Sequence, residues 1–441
     1  WNGTQWNSFA PNGPGSNLFT SLAVDENGVL WAGSGTSARA AGFYRFNPSL
    51  PEDRRWKNFS VEDYPVMAFN DYYKVSVGVE GSVWASSWGR GAVEVVNDSV
   101  VRRISVPTLV GVSEDPNFVV VGSVVPDEAG NTWFVNYRAV NGLYLARLTG
   151  DSTFEYYAKA IAPSEGRLTS MVIDRLGTKW IANSTSSNKP ATGLVFFNEN
   201  PQLLTGTQHD NGWGLITTPT LPDNIVISLA IDLDGDISVG TDAGMVIVDV
   251  LRGQTLSLRF TRALPVTGQV VQAIAVDALN NKWVGTKEGI SVLSPDGLRL
   301  LQFYSVASTN GKLMSNDIQS LAIDQQRGVV YIGTERGLTS LEIEPVQAAR
   351  SYTTLEFGPN PYIIPSNDRL VVRNLVANSF IRILSVSGAL ITEFQAQGGG
   401  RAFWDGLDAK GEYVPTGIYI VVAYAENGNQ LSTGKIAVVR R

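Results

Sequence analysis

The chain has 441 residues, a formal net charge of −7, no cysteine and a single histidine. These counts exclude disulfides, Cys-ligated zinc, iron–sulfur clusters, a thiol nucleophile and any metal site built from several histidines. The acidic balance argues against nucleic acid as the main partner, and there is no run of roughly eighteen apolar residues that would cross a membrane as a helix.

Hydrophobic residues make up 44% of the chain, ample for a core, and charged residues only 17%. With 44 glycines and 11 tryptophans and little helical periodicity, this composition suits an all-β protein. The chain begins at Trp1 rather than Met, so the missing leader says nothing about localisation.

In chain order, the phrase WNGTQWNSF (1–9) comes first and reads as a strand. One sentence then repeats seven times: an alternating apolar run, an Asp, a turn, an aromatic six residues on, and a second turn into a third strand. The copies are Asp25–Trp31, Gly78–Trp84 (Gly in the Asp position), Asp127–Trp133, Asp174–Trp180, Asp232–Ser238, Asp277–Trp283 and Asp324–Tyr331, the last one residue longer. The aromatic positions 31, 84, 133, 180, 238, 283 and 331 are 53, 49, 47, 58, 45 and 48 residues apart.

A period near fifty with several short strands per period fits one four-stranded propeller blade. The Trp is expected to pack between neighbouring blades, and the Gly that follows it to let the backbone turn. The aromatic phrases RRWKNF (54–59), STFEYY (152–157) and LRLLQFY (298–304) read as outer strands. The seventh triplet has no such phrase after it, so residues 1–9 are expected to supply its outer strand. That closes the ring and removes an exposed sheet edge. Residues 1–350 are thus expected to form one seven-bladed β-propeller.

Residues 345–361 are a linker, and beyond them the period is lost. The runs 368–375, 380–386, 389–394, 417–425 and 430–440 alternate as strands of a small Ig-like β-sandwich over 351–441.

Several residues are candidates for chemistry. His209 lies in a polar loop, TGTQHDNGWG, and reads as solvated. Asp232, Asp234 and Asp236 in DLDGD could offer oxygens to Ca²⁺, but the run is too short for an EF-hand loop, and Asp and Gly also serve a tight turn without an ion. DEAGNTW (127–133) is near the sialidase Asp-box, itself a structural turn, and there is no marked acid/base pair. No catalytic residue, metal site or cofactor is therefore expected.

The charge layout is more informative. The first-to-second turns lie on one face of the disc and carry Asp25, Asp127, Asp174, Asp232, Asp277 and Asp324, as turns favour Asp. The second-to-third turns lie on the other and carry Arg39, Arg90, Arg138, Lys189, Lys287 and Arg336. Asp242, Glu288 and Glu335 nearly cancel these charges in blades five to seven. In blades one to four they do not, and Trp88 and Tyr137 sit among the cations. Arg39, Arg90, Arg138, Lys189, Trp88 and Tyr137 form either a solvated rim or a half-ring for an anionic glycan, through charge-assisted hydrogen bonds and aromatic stacking.

VQAIAVDALNNKWVGTKEGI and IQSLAIDQQRGVVYIGTERGL resemble the two-component regulator propeller repeat, which implies the propeller fold. PNPYIIP (359–365), IRILSVSGALI (381–391), FWDGLDAKGEYVPTGIYIVVA (403–423) and KIAVVRR (435–441) resemble the type IX secretion C-terminal domain. The WDG…VPTGIY phrase is shared with the Ig-like domain of flagellar hook-capping proteins.

Together the two parts resemble the PorZ-like family. That resemblance implies a cell-surface, outer-membrane-associated component of the type IX secretion system in Bacteroidota. It also implies a role in attaching cargo to anionic lipopolysaccharide, with other secretion-system surface proteins as partners. Family members carry two propellers, so this chain would correspond to a C-terminal half. The alternatives are a secreted glycan-binding or glycan-degrading cargo protein, and the extracytoplasmic sensor propeller of a hybrid two-component system.

Overall fold

A computed structural model of the chain describes residues 12–36, 39–150, 152–158, 167–183, 193–203, 211–250, 258–263, 265–344, 346–349, 351–365, 369–396, 399–425 and 428–441. It divides into two compact units, the second built on Glu342–Arg441.

In the first unit the seven repeats become seven antiparallel sets of strands. Sheet 1 is Ser21–Val24, Leu30–Gly33, Phe43–Phe46 and Trp56–Phe59 in sequence order. Sheets 4, 5 and 6 repeat the plan from Leu168–Ile173, Val226–Ile231 and Ala273–Val276. Sheets 2 and 3 begin at Tyr72–Val77 and Val119–Pro126 and are fused by pairing of Trp88 with Val120 and Gly89 with Val119. Sheet 7 has three described strands, Ile318–Asp324, Val329–Thr334 and Gly337–Glu342. The expected outer strands appear at Trp56–Phe59, Phe154–Ala158 and Leu300–Tyr304. Residues 1–9, expected to complete sheet 7, lie outside the described residues. The first strand of each sheet lies against those of the sheets before and after it, and that of sheet 7 against that of sheet 1. Ser320 Oγ donates to the Phe19 carbonyl at 2.7 Å across that last junction.

One carboxylate organises the turn and the ring in the first, third and fourth repeats. Asp174 Oδ1 accepts the backbone N–H of Leu176 and of Thr178, both at 2.9 Å, which closes the turn, and Oδ2 accepts the Trp180 indole N–H at 2.9 Å. Asp25 and Asp127 bind their turns and Trp31 and Trp133 in the same way. Asp therefore holds the turn and fixes the ring that packs on the next sheet: Trp180 shares a core with Val226, Ile237 and Val248 of sheet 5. These are charge-assisted bonds to otherwise stranded donors, each stabilising by about 1.5–3 kcal/mol.

The two departures from the pattern follow from the same rule. Gly78 offers no carboxylate; a Cβ there would lie 2.9 Å from the Trp84 ring, so the indole has moved into the space the Asp would fill, and its N–H has no partner. Ser238 offers no indole, and the released Asp232 Oδ2 instead pairs with Lys282 Nζ at 2.8 Å, both side chains buried. Lys282 precedes Trp283 as Lys179 precedes Trp180. Lys179 of sheet 4 has its Nζ 3.9 Å from the Trp133 ring centroid of sheet 3. A buried lysine thus covers the preceding sheet's ring where there is one and takes its carboxylate where there is none.

The glycine two residues after the aromatic does not serve a turn, contrary to expectation. Gly33 keeps ordinary strand geometry, and a Cβ there would lie 2.9 Å from the Tyr73 backbone of the next sheet. Its role is close approach between sheets.

The second unit is two sheets over one core. Glu356–Gly358, Leu370–Arg373 and Arg401–Trp404 form one sheet; Tyr362–Ile364, Leu431–Arg440, Gly417–Tyr424, Phe380–Ser385 and Leu390–Gln395 form the other. Leu370, Val372 and Trp404 of the first meet Tyr362, Ile383, Val421 and Ile436 of the second. Three of these strands escape the sequence reading: Glu356–Gly358 and Tyr362–Ile364 are too short to alternate visibly, and Arg401–Trp404 follows a glycine run.

Asp174→Ala, which strands two backbone N–H groups and an indole, is expected to destabilise the first unit by about 3 kcal/mol. Lys282→Met, which leaves the Asp232 carboxylate buried and unpaired, is expected to cost about 3–5 kcal/mol. Urea unfolding of each variant beside the parent chain measures both losses.

Candidate functional site

Strand directions alternate within each sheet, so the second-to-third turns share a face with the connections that leave one sheet and begin the next. The sequence reading counted only the turns. The connections 60–71 and 105–118 bring the groups that decide what the cations on this face can do.

Arg138 Nη2 donates to Glu114 Oε1 at 2.7 Å, and the guanidinium beside Glu114 holds that carboxyl down at about 2. Arg90 lies over the ring of Phe69, 4.9 Å from its centroid, and Phe69 is itself exposed. Arg39 is exposed on sheet 1. Lys189 and His209 lie outside the described residues.

Trp88 is 36% exposed and stands between Tyr73 and Tyr137, with ring centroids 5.5 and 5.4 Å away. The fusion of sheets 2 and 3 brings these rings together, because Trp88 pairs with Val120 of the neighbouring sheet. Gly89, at φ 120°, is required there: a Cβ would sit 2.4 Å from the Phe118 ring. Tyr137 is buried rather than presented to solvent, and its hydroxyl lies 3.5 Å from Nη1 of the buried Arg167. Trp88 and Tyr137 are therefore in ring contact, with only Trp88 at the surface. Of the four expected cations, Arg90 is held on Phe69 and Arg138 on Glu114.

Beneath Trp88, Tyr73 donates its hydroxyl to the Val121 carbonyl at 2.6 Å, and burial raises its pKa. Lys74 reaches from sheet 2 past sheet 3 to sheet 4, where its Nζ donates to the Thr169 carbonyl at 2.7 Å and to Ser170 Oγ. Burial pushes its ammonium down to about 8.

A further pattern went unread in the sequence although its signal is there. Three residues after the aromatic position stands Ser34, Ser87, Thr241, Thr286 or Thr334 in five repeats, but Asn136 and Asn183 in repeats three and four. Each of the five hydroxyls accepts a backbone N–H from the turn that follows, those of Ala41, Arg90, Ala243, Glu288 and Arg336. The two amides do not do this. Asn183 is fully buried, and neither its Nδ2 nor its Oδ1 has a partner; Asn136, 2% exposed, leaves Oδ1 unpartnered. Each unmade bond costs about 1–3 kcal/mol.

On the opposite face the acidic residues are structural. Beyond its pair with Lys282, Asp232 accepts the N–H groups of Asp234 and Asp236; Asp234 Oδ2 accepts from Asn280, and Asp236 Oδ1 from the Val250 N–H. The three carboxylates of DLDGD thus serve the turn and its neighbours.

No family model and no curated protein matches the chain. Solved structures do. The extracellular domain of a hybrid two-component system from B. thetaiotaomicron matches 96% of the chain at TM-score 0.55 and 15% identity, over 57% of its own length. Virginiamycin B lyase from Staphylococcus aureus matches 74% of the chain at TM-score 0.53 and 12% identity, over 94% of its own length. PorZ, an essential surface component of the type IX secretion system of Porphyromonas gingivalis, matches 98% of the chain at TM-score 0.65 and 24% identity.

The native proton balance of Lys74 gives a pH dependence. Its folded pKa of about 8 lies below the unfolded value of about 10.4, so between the two the unfolded chain binds more protons and stability rises with pH. Urea unfolding is expected to show that rise from pH 8 to 10 in the parent and to lose it in Lys74→Met. The chain is similar in fold to PorZ and spans 61% of the PorZ chain it matches.

Proposed function

We propose that this chain belongs to an extracytoplasmic, non-enzymatic binding and scaffold protein of the type IX secretion machinery, associated with the outer membrane of a Gram-negative bacterium. It acts there with other surface proteins of that system and receives an anionic lipopolysaccharide or other glycan for cargo attachment. In this reading the first unit is a seven-bladed propeller closed by residues 1–9, and the second is an Ig-like sorting domain. One observation carries it: the likeness to PorZ runs through 98% of the chain, both units included.

The glycan-receiving surface is the turn-and-connection face of sheets 1 to 4. An exposed indole at Trp88 offers a stacking platform. Arg39, Arg90 and Arg138 offer charge-assisted bonds to acidic groups, and the repeat pattern of the sequence counts Lys189 with them. Glu114 tempers it by occupying Arg138.

A second reading rests on the two-component extracellular domain that matches 96% of the chain: a sensor propeller whose ligand binds on the same face. Deleting the gene in the source bacterium separates the two. Unprocessed secretion cargo retained in the periplasm is the outcome expected of the secretion role, and loss of a transcriptional response with secretion intact is that of the sensor.

Binding is expected to follow the charges. The Arg39/Arg90/Arg138 triple Ala variant is expected to lose at least tenfold in affinity for anionic polysaccharide, and Glu114→Gln, which removes a negative charge from this face, to gain severalfold. Calorimetric titration checks both; unchanged affinity in the triple variant contradicts the assignment. Degradation of the polysaccharide by the purified chain would contradict the non-enzymatic reading.

A further inference from the structure

We infer that one end of the five-stranded sheet in the second unit, at Ile363, Val386, Leu390, Ile418 and Val439, is a docking surface for an anionic lipid bilayer. This goes beyond the glycan-binding reading, which concerns the first unit.

The sheet lays one face on the core of the second unit, through Tyr362, Ile383, Tyr419, Val421, Ile436 and Val438. Strand alternation turns the residues between them outward. An antiparallel sheet with one face on a core ordinarily presents polar residues on the other. This sheet does so at one end. There Arg382 pairs with Glu393 at 2.8 Å, Tyr424 donates its hydroxyl to Glu393 at 2.6 Å, and Phe380 stacks on Tyr424.

The other end is apolar across all five strands. Ile363 lies beside Val439, Ile418 opposite Ala437, Ile420 opposite Leu384, and Leu384 opposite Leu390. Val386 stands in the hairpin between Leu384 and Leu390. Val386 is 70% exposed, Leu390 56% and Ile418 48%, and Ile363 and Val439 are exposed beside them. The sequence carries the same signal. IYIVVAY (418–424) and IAVV (436–439) are unbroken apolar runs, the pattern of strands covered on both faces. A contiguous apolar patch left open in this way marks a surface that a partner covers.

Charge decides which partner. Lys435 stands opposite Ile420 at the border of the patch, and Arg440 and Arg441 follow Val439. All three are exposed, and none has a carboxylate within 4.0 Å among the described residues. Glu393, the carboxylate on this face, is already paired with Arg382. A second copy would bring more cations and no free anion. A bilayer with anionic headgroups supplies both things the patch lacks: an acyl boundary for the five apolar side chains and phosphates for the cations.

Co-sedimentation of the whole 441-residue chain with phosphatidylcholine vesicles containing about a third phosphatidylglycerol tests this. The chain is expected to bind them at least tenfold more tightly than vesicles of phosphatidylcholine alone. Val386→Ser/Leu390→Ser changes two exposed side chains outside the core and is expected to lose at least tenfold. Lys435→Gln/Arg441→Gln is expected to lose about tenfold on the anionic vesicles. The vesicles carry no glycan, so this binding and the polysaccharide titration fail or succeed separately.

A parent that does not bind the anionic vesicles, or binds neutral ones equally well, overturns the docking surface. So does vesicle binding that survives in Val386→Ser/Leu390→Ser. Loss of vesicle binding in the Arg39/Arg90/Arg138 triple Ala variant would put the contact on the first unit and also overturn it. A parent that ignores vesicles but dimerises in sedimentation velocity, with the dimer abolished by Val386→Ser/Leu390→Ser, overturns it in favour of a second copy.

Discussion

In the first, third and fourth repeats a single carboxylate does the structural work. It closes a tight turn through two backbone N–H groups and orients an indole through a third bond. The indole then carries the packing of one sheet on the next. Because all three bonds share one acceptor, turn geometry and inter-sheet packing are coupled, and a change at either end is felt at the other. Trp84 shows this at Gly78, where the ring shifts and its N–H goes unmet. Lys282 shows it at Asp232, where a buried cation replaces a missing ring. Asp25, Asp127, Asp174 and Asp232 on the acidic face are therefore engaged in holding the fold.

The other face carries the variation. It is built from turns that need no carboxylate and from connections whose length differs from sheet to sheet. Fusion of sheets 2 and 3 is the largest departure from regularity, and the exposed indole stands there. The two buried amides that replace the turn-holding hydroxyls, Asn136 and Asn183, lie in the neighbouring sheets 3 and 4. Regular repeats hold the first unit together, and the fusion of sheets 2 and 3 falls on the face where a partner is proposed to bind.

Much of the architecture was legible because the repeat is written in residues with strong local roles. Asp, Gly and Trp at fixed offsets located the strand triplets, and the aromatic phrases located the outer strands. The glycine after the aromatic was visible, but its purpose was not, because close approach to Tyr73 depends on a strand forty residues away. The candidate site was half legible. Trp88 and Tyr137 stand out in the aligned turns, whereas Glu114, Phe69 and Arg167 do not, because they lie in connections that carry no repeat. The exchange of hydroxyl for amide at Asn136 and Asn183 is plain in the aligned repeats. It gains meaning only once the five hydroxyls are seen to hold their turns.

Trp88 offers the most direct test of the central claim, that the turn-and-connection face of sheets 1 to 4 receives an anionic glycan. The indole N–H groups of Trp31, Trp133 and Trp180 are tied to carboxylates inside the disc, and Trp88 stands at the surface. In a nitrogen-15 labelled chain titrated with the polysaccharide portion of anionic lipopolysaccharide, the Trp88 indole resonance, assigned by its loss in Trp88→Phe, is expected to move saturably. The three tied resonances are expected to stay in place. A Trp88 resonance that does not move at saturating polysaccharide would contradict the claim.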